Sequence, residues 1–223
     1  MGGRGSAGRQ GGGGFGGADI NVKSSQSLIS LRNEGKRVES DQVLTVLREV
    51  EQNYGVTVGD ATVDKVAGRG ARSVLAYMYR GSGDLGFNQR FFDEAKMTQA
   101  YDRSVDMKFH PPRGKKSAME AVAAHEMGHR LNYVASESVG RDMDAVAKDI
   151  VTAAAKRYYK SYAAGKSEKQ LQSRISGYAK ESHAETISEA YADVYCNGGK
   201  ASRASREIVR ELNYYLQAGP RRK

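Results

Sequence analysis

The apolar positions of this chain change period along its length. Across Ser40–Tyr54, Val43, Leu44, Leu47, Val50 and Tyr54 recur at helical spacing, with Ser40 a candidate N-cap and Gly55 a candidate stop. A second short helix is expected over Asp60–Ala67. Ser73–Tyr79 (SVLAYMY) is rich in strand formers and runs into Gly81–Gly83, which predicts a strand followed by a turn. Leu85–Asn88 is the next candidate strand, and Phe91–Tyr101 reads as a short helix or an irregular connection. Val105–Phe109 (VDMKF) alternates at period two and ends at Pro111-Pro112, which cannot continue a ladder. The second half is helical. Helices are expected over Lys116–Val134, with Ser117 as cap and Glu120 three residues on, then Arg141–Tyr162, Glu181–Tyr195 and Arg203–Leu216, with a short segment at Gln170–Ile175. A small sheet of about three strands followed by helices predicts an α+β domain.

Composition sharpens the boundaries. Ten of the 26 glycines fall in the first 17 residues, so residues 1–35 are expected to be a disordered tail and 219–223 a short basic one. The 36–218 stretch between them is long enough for a hydrophobic core, and 39% hydrophobic residues with 13 tyrosines argue against wholesale disorder. The single cysteine, Cys196, excludes an internal disulfide framework. No apolar run approaches 18 residues and no segment resembles a signal peptide, so no membrane partner and a cytoplasmic location are expected. The net charge of +9 invites a nucleic-acid partner. Its basic residues are scattered, however, without a Cys/His finger or an RNA-stacking aromatic pair. Arg4 and Arg9 in the tail support weak nonspecific contact at most.

The chemistry sits in the first long helix. His125 and His129 are four residues apart in Ala123-Ala124-His125-Glu126-Met127-Gly128-His129, so their imidazoles share one helix face and can share one metal ion. Glu126, about 100° further round, reaches the side where a metal-bound water would sit and is the candidate general base. This is the HExxH arrangement of zinc hydrolases, and Zn²⁺ is the expected cofactor. Small Ala124 and Gly128 leave room for close packing beside the ion.

A third ligand is needed, and a later helix offers one. Glu185, Glu189 and Asp193 climb one helix face at spacings of four. Like charges at that spacing repel by a few tenths of a kcal/mol per pair, a cost that a metal alongside would reverse. Two registers remain open: Glu185 as ligand with Glu189 behind it, or Glu189 as ligand with Asp193 behind it. In either, the residue one turn on can accept the remote N–H of a ligand imidazole.

These motifs resemble the zincin metallopeptidases whose third ligand is a glutamate, the gluzincins. The second motif resembles more closely that of anthrax lethal factor catalytic domains, Tyr-Ala-x-x-Asn-x-x-Glu-x-Phe-Ala-Glu-Ala-Phe. Here it stands as Tyr178-Ala179, Ser182 in place of Asn, Glu185, Ile187-Ser188 in place of Phe-Ala, and Glu189-Ala190-Tyr191. The resemblance implies Glu185 as ligand, Glu189 as the carboxylate behind it, and the Tyr178 hydroxyl as donor to the reaction's oxyanion. It leaves Asp193 structural. The thermolysin-like pattern implies Glu189 with Asp193 instead, but gives Tyr178 no place.

Segments across Ala71–Leu216, including Ala76-Tyr77, Phe109-His110-Pro111, Ser176-Gly177-Tyr178-Ala179 and Glu189–Tyr195, also resemble zincin-like domains of bacteriophage minor head (Mu F-like) proteins. That resemblance implies phage head proteins as partners, a host-cytoplasm or virion location, and a rival role as a head-morphogenesis protein with little or no turnover. The leading expectation is a zinc-dependent endopeptidase acting on a protein or peptide substrate. Zincins hold substrate against a sheet edge, and Val105–Phe109 or Leu85–Asn88 is expected to supply it. His110 reads as a turn residue that could instead touch substrate. His183 is a weak alternative ligand, and Cys196 a small buried hydrophobe.

Overall fold

A computed structural model of the chain describes residues 36–37, 40–67, 72–79, 82–160 and 164–218. The expected tails, 1–35 and 219–223, lie outside the described residues. The elements run β1 (Lys36–Arg37), α1 (Asp41–Tyr54), β2 (Ala61–Asp64), β3 (Ala76–Met78), β4 (Leu85–Asn88), α2 (Glu94–Asp106), α3 (Ala118–Val139), α4 (Met143–Tyr159), α5 (Ala164–Ser173), α6 (His183–Asn197) and α7 (Arg203–Ala218). Single 3₁₀ turns at Tyr178–Lys180 and Gly198–Lys200 flank α6. The chain is α+β, with the sheet in the N-terminal half.

The sheet has four strands in the order β1-β2-β4-β3, with β2 and β4 parallel and both outer pairs antiparallel. The helix expected over Asp60–Ala67 is therefore a strand. A window this short fits either period, and β2 is decided by ladder bonds on both its edges and by the β-branched Thr62 and Val63. Tyr77 stands opposite Gly86, where a Cβ would lie 2.1 Å from the phenol ring carbon Cζ. The glycine lets that phenol cross the sheet and donate to buried Asp64 at 2.5 Å.

The strand expected at Val105–Phe109 is also overturned. Helix α2 starts at the cap of Asp93, which accepts from Lys96 N, and carries Met97, Tyr101 and Ser104 inward through Asp106. Lys108 then turns the chain with φ at 56°. The period-two pattern of VDMKF buries no alternating face, since Met107 is exposed. Leu85–Asn88 is a strand, but an internal one, so neither expected edge is an edge. The edges are β1 and β3.

Helix α3 is the axis of the molecule. Ser117 and Glu120 close the capping box, with Glu120 N to Ser117 Oγ at 3.1 Å and Ser117 N to Glu120 Oε2 at 2.8 Å. Its residues from Ala118 through His129 are almost all buried, so it is covered on every side rather than on one stripe. Against it lies α6, begun by Ser182, whose Oγ accepts from Glu185 N at 3.0 Å. The two helices meet closely at Gly128, where a Cβ would stand 2.6 Å from Ser188 Cα. Val50, Phe87, Met97, Leu131, Ile150, Ile187 and Ile208 belong to one buried cluster joining the sheet to the helices. No described helix is long and apolar enough to cross a membrane.

Candidate metal centre

Because α3 is buried on all sides, His125, Glu126 and His129 are buried along with the alanines and methionines of the same helix. A polar group without a partner there costs about 1–3 kcal/mol, so each needs an explanation. The explanation comes from α6, which brings Glu185 between the two imidazoles. Glu185 Oε2 lies 3.2 Å from His125 Nε2 and 3.4 Å from His129 Nε2. All three ligand atoms fall within 4.8 Å of one another, and all three residues are buried.

These separations test whether a metal fits. Ligands about 2.0–2.1 Å from a tetrahedral ion stand roughly 3.3 Å apart. The two observed distances bracket that value. His129 Nε2 and Glu185 Oε2 also make no hydrogen bond although both are buried. Two imidazoles and a carboxylate directed at one point are a donor set that can hold a divalent ion, with a position left for water.

Behind this cluster, His125 Nδ1 lies 2.8 Å from Glu189 Oε1. Glu189 thus stands where the first register puts it, one turn beyond the ligand and on the far side of the imidazole. Asp193 stands elsewhere. Its carboxylate takes Asn197 Nδ2 at 2.9 Å, Ser202 N at 2.9 Å and Ser205 Oγ at 2.6 Å, tying the end of α6 to the start of α7. The runner-up register, Glu189 as ligand with Asp193 behind it, needs Asp193 beside an imidazole, and Asp193 instead meets Asn197, Ser202 and Ser205.

Burial raises the Glu185 carboxyl, but His129 and His125 outweigh it and hold it at about 2. His125 is pushed the other way: burial lowers it, and the flanking Glu185 and Glu189 lift it to about 10. Glu126 is fully buried with neither oxygen hydrogen-bonded, and desolvation raises it to about 7 against the pull of His125 and His129. A carboxyl there is poised to take and return a proton near neutrality.

Tyr178 begins the 3₁₀ turn before α6, and its ring stacks on His125 at 5.9 Å between centroids. Burial and the neighbouring carboxylates Glu185, Glu126 and Glu189 raise its hydroxyl, which stays protonated and able to donate. The structure therefore brings together His125, Glu126, His129, Tyr178, Glu185 and Glu189, and leaves out three others. His183 points away from the cluster to Glu168, at 3.3 Å. Cys196 is half-buried, and desolvation pushes its thiol up to about 12. Asp193 is the third.

His110 was expected at a turn and is instead 2% exposed inside this site, with Nδ1 2.9 Å from Glu189 Oε1. The histidine-proline step does turn the chain, which hid the second role. The only sequence signal for it is a histidine where an ordinary turn residue would serve.

Comparison of the chain with protein families, with curated proteins and with solved structures finds no match. The geometry of the site carries the functional reading.

Proposed function

We propose that the chain is a zinc-dependent endopeptidase of the gluzincin kind, with a zincin-like fold. The observation that carries this is the meeting of His125, His129 and Glu185 across the α3–α6 seam, with Glu126 buried and unbonded beside them. His125, His129 and Glu185 would hold the ion. Bound zinc would supply polarisation of the scissile carbonyl and acidification of a water.

The chain's own groups supply the rest. Glu126 takes the proton of the attacking water and returns it to the leaving amine, a role suited to a carboxyl lifted toward neutrality. Tyr178, protonated and held over His125, donates to the oxygen on which charge develops. Glu189 keeps His125 Nδ1 protonated and Nε2 turned to the ligand point. Substrate would add as a strand at an edge of the sheet, β1 or β3, rather than to either segment expected from sequence. Ser182 where lethal factor has Asn is a mild departure, because both residues cap helices and Ser182 caps α6 here.

Metal analysis of the purified chain alongside a peptide-library digest tests this reading. One zinc per chain and chelator-sensitive cleavage are expected, with Glu126→Gln retaining zinc and losing turnover. Zinc lost in Glu126→Gln would overturn the role given to that residue. Stoichiometric zinc with no cleavage of any peptide would replace the enzyme with a metal-bearing structural protein.

A further inference from the structure

Glu189 is buried as completely as Glu126, but unlike Glu126 it has partners within the protein on both its oxygens. Ser176 Oγ donates to Oε2 at 2.6 Å. Oε1 faces two imidazoles at once, His125 Nδ1 at 2.8 Å and His110 Nδ1 at 2.9 Å. A carboxylate oxygen accepts, so the tautomer that fits the 2.9 Å contact carries its hydrogen on His110 Nδ1.

The ring of His110 is itself fixed. It stacks on Tyr101 at 5.7 Å with 13° between planes and meets Tyr178 edge-on at 5.4 Å. The backbone on either side is pinned: Gly177 N donates to Lys108 O at 2.9 Å, Tyr178 N to Phe109 O at 3.0 Å, and the Tyr101 hydroxyl to Pro111 O at 2.9 Å. The terminal torsion of glutamate is broad, and Ser176 on Oε2 with one imidazole on Oε1 leaves room for it to rock. A second, rigidly mounted ring nitrogen on Oε1 narrows that range.

We infer that His110 is a positioning residue of the metal centre, fixing the Glu189 carboxylate that in turn orients His125 toward the ion. This rests on the metal-site reading above. His110 is not one of the three residues directed at the ion, and it acts through Glu189. Outer-shell partners of this kind typically change metal affinity by about 10–100-fold.

The test is the zinc dissociation constant of the full chain, by chelator competition, for the wild type, His110→Phe and His110→Asn. Phenylalanine keeps the ring packing on Tyr101 and Tyr178 but has no donor. Asparagine places an amide N–H near the position of Nδ1 without the ring. The expected result is affinity about 10–100-fold weaker in His110→Phe and largely restored in His110→Asn. Unchanged affinity in His110→Phe, or an equal loss in both variants, would overturn the inference while leaving the metal site standing. A wild type that binds no zinc would instead remove the reading beneath it. Imidazole nitrogen NMR of the wild type gives a check that needs no variant. A slowly exchanging Nδ1 proton on His110 is expected in the metal-free and the zinc-loaded chain, and a ring protonated only at Nε2 would overturn the inference.

Discussion

The two ends of helix α6 carry buried carboxylates of the same charge, eight residues apart on one face, and their surroundings could hardly differ more. Asp193 is saturated: an amide, a backbone N–H and a hydroxyl all donate to it. Glu185 Oε2 accepts no hydrogen bond and faces two imidazole nitrogens across 3.2 and 3.4 Å. Glu189, between them, takes Ser176 Oγ on one oxygen and has His110 Nδ1 and His125 Nδ1 at 2.9 and 2.8 Å from the other. What separates a structural carboxylate from a ligand is therefore the number of donors it already owns, because a group with its hydrogen bonds satisfied has nothing left to offer an ion. One acidic stripe thus has three different surroundings: Glu185 facing the imidazoles, Glu189 behind them, and Asp193 tied to the start of the next helix.

The largest effect is expected where the donors are missing. Glu185→Gln should abolish stoichiometric zinc, a loss well beyond the ~100-fold that an outer-shell change causes, and metal analysis checks it. Gly128→Ala should come next, because the added Cβ would press on Ser188 Cα and part the two helices. Overpacking of this kind costs about 1–3 kcal/mol, and here zinc affinity should fall along with the denaturation midpoint. Asp193→Ala should cost about 1–2 kcal/mol in denaturant melts, from donors left unmet at the α6–α7 corner, with zinc content unchanged. If that variant lost zinc with its fold intact, the division of roles along α6 would be broken. The smallest effect is a silence: with its thiol pushed up to about 12, Cys196 should resist alkylation at pH 8 until the chain is unfolded.

The sequence carried the helices of the site well and its surroundings poorly. Helix α3 was legible because its signals agree: a Ser–Glu capping box, a histidine pair at four, and small residues beside it. The α6 ladder was legible as a stripe, yet its partition was not. The donors that mark Asp193 as structural come from Ser202 and Ser205, beyond the helix it sits on. His110 was missed because its partner lies 79 residues away and no local period connects them. The two wrong elements, β2 and the end of α2, share a cause. Each is a window of four or five residues, shorter than the stretch needed to tell a period of two from one of 3.6. Bonds to distant strands decided the first, and the cap at Asp93 with inward-facing Met97 and Tyr101 decided the second.

If one divalent ion joins α3 to α6, anomalous diffraction at the zinc edge from crystals of the zinc-loaded chain will locate it. A peak about 2.0–2.2 Å from His125 Nε2, His129 Nε2 and a Glu185 carboxylate oxygen is expected. A peak bound elsewhere, or none between those three side chains in a stoichiometrically loaded crystal, would mean that no ion joins the two helices there.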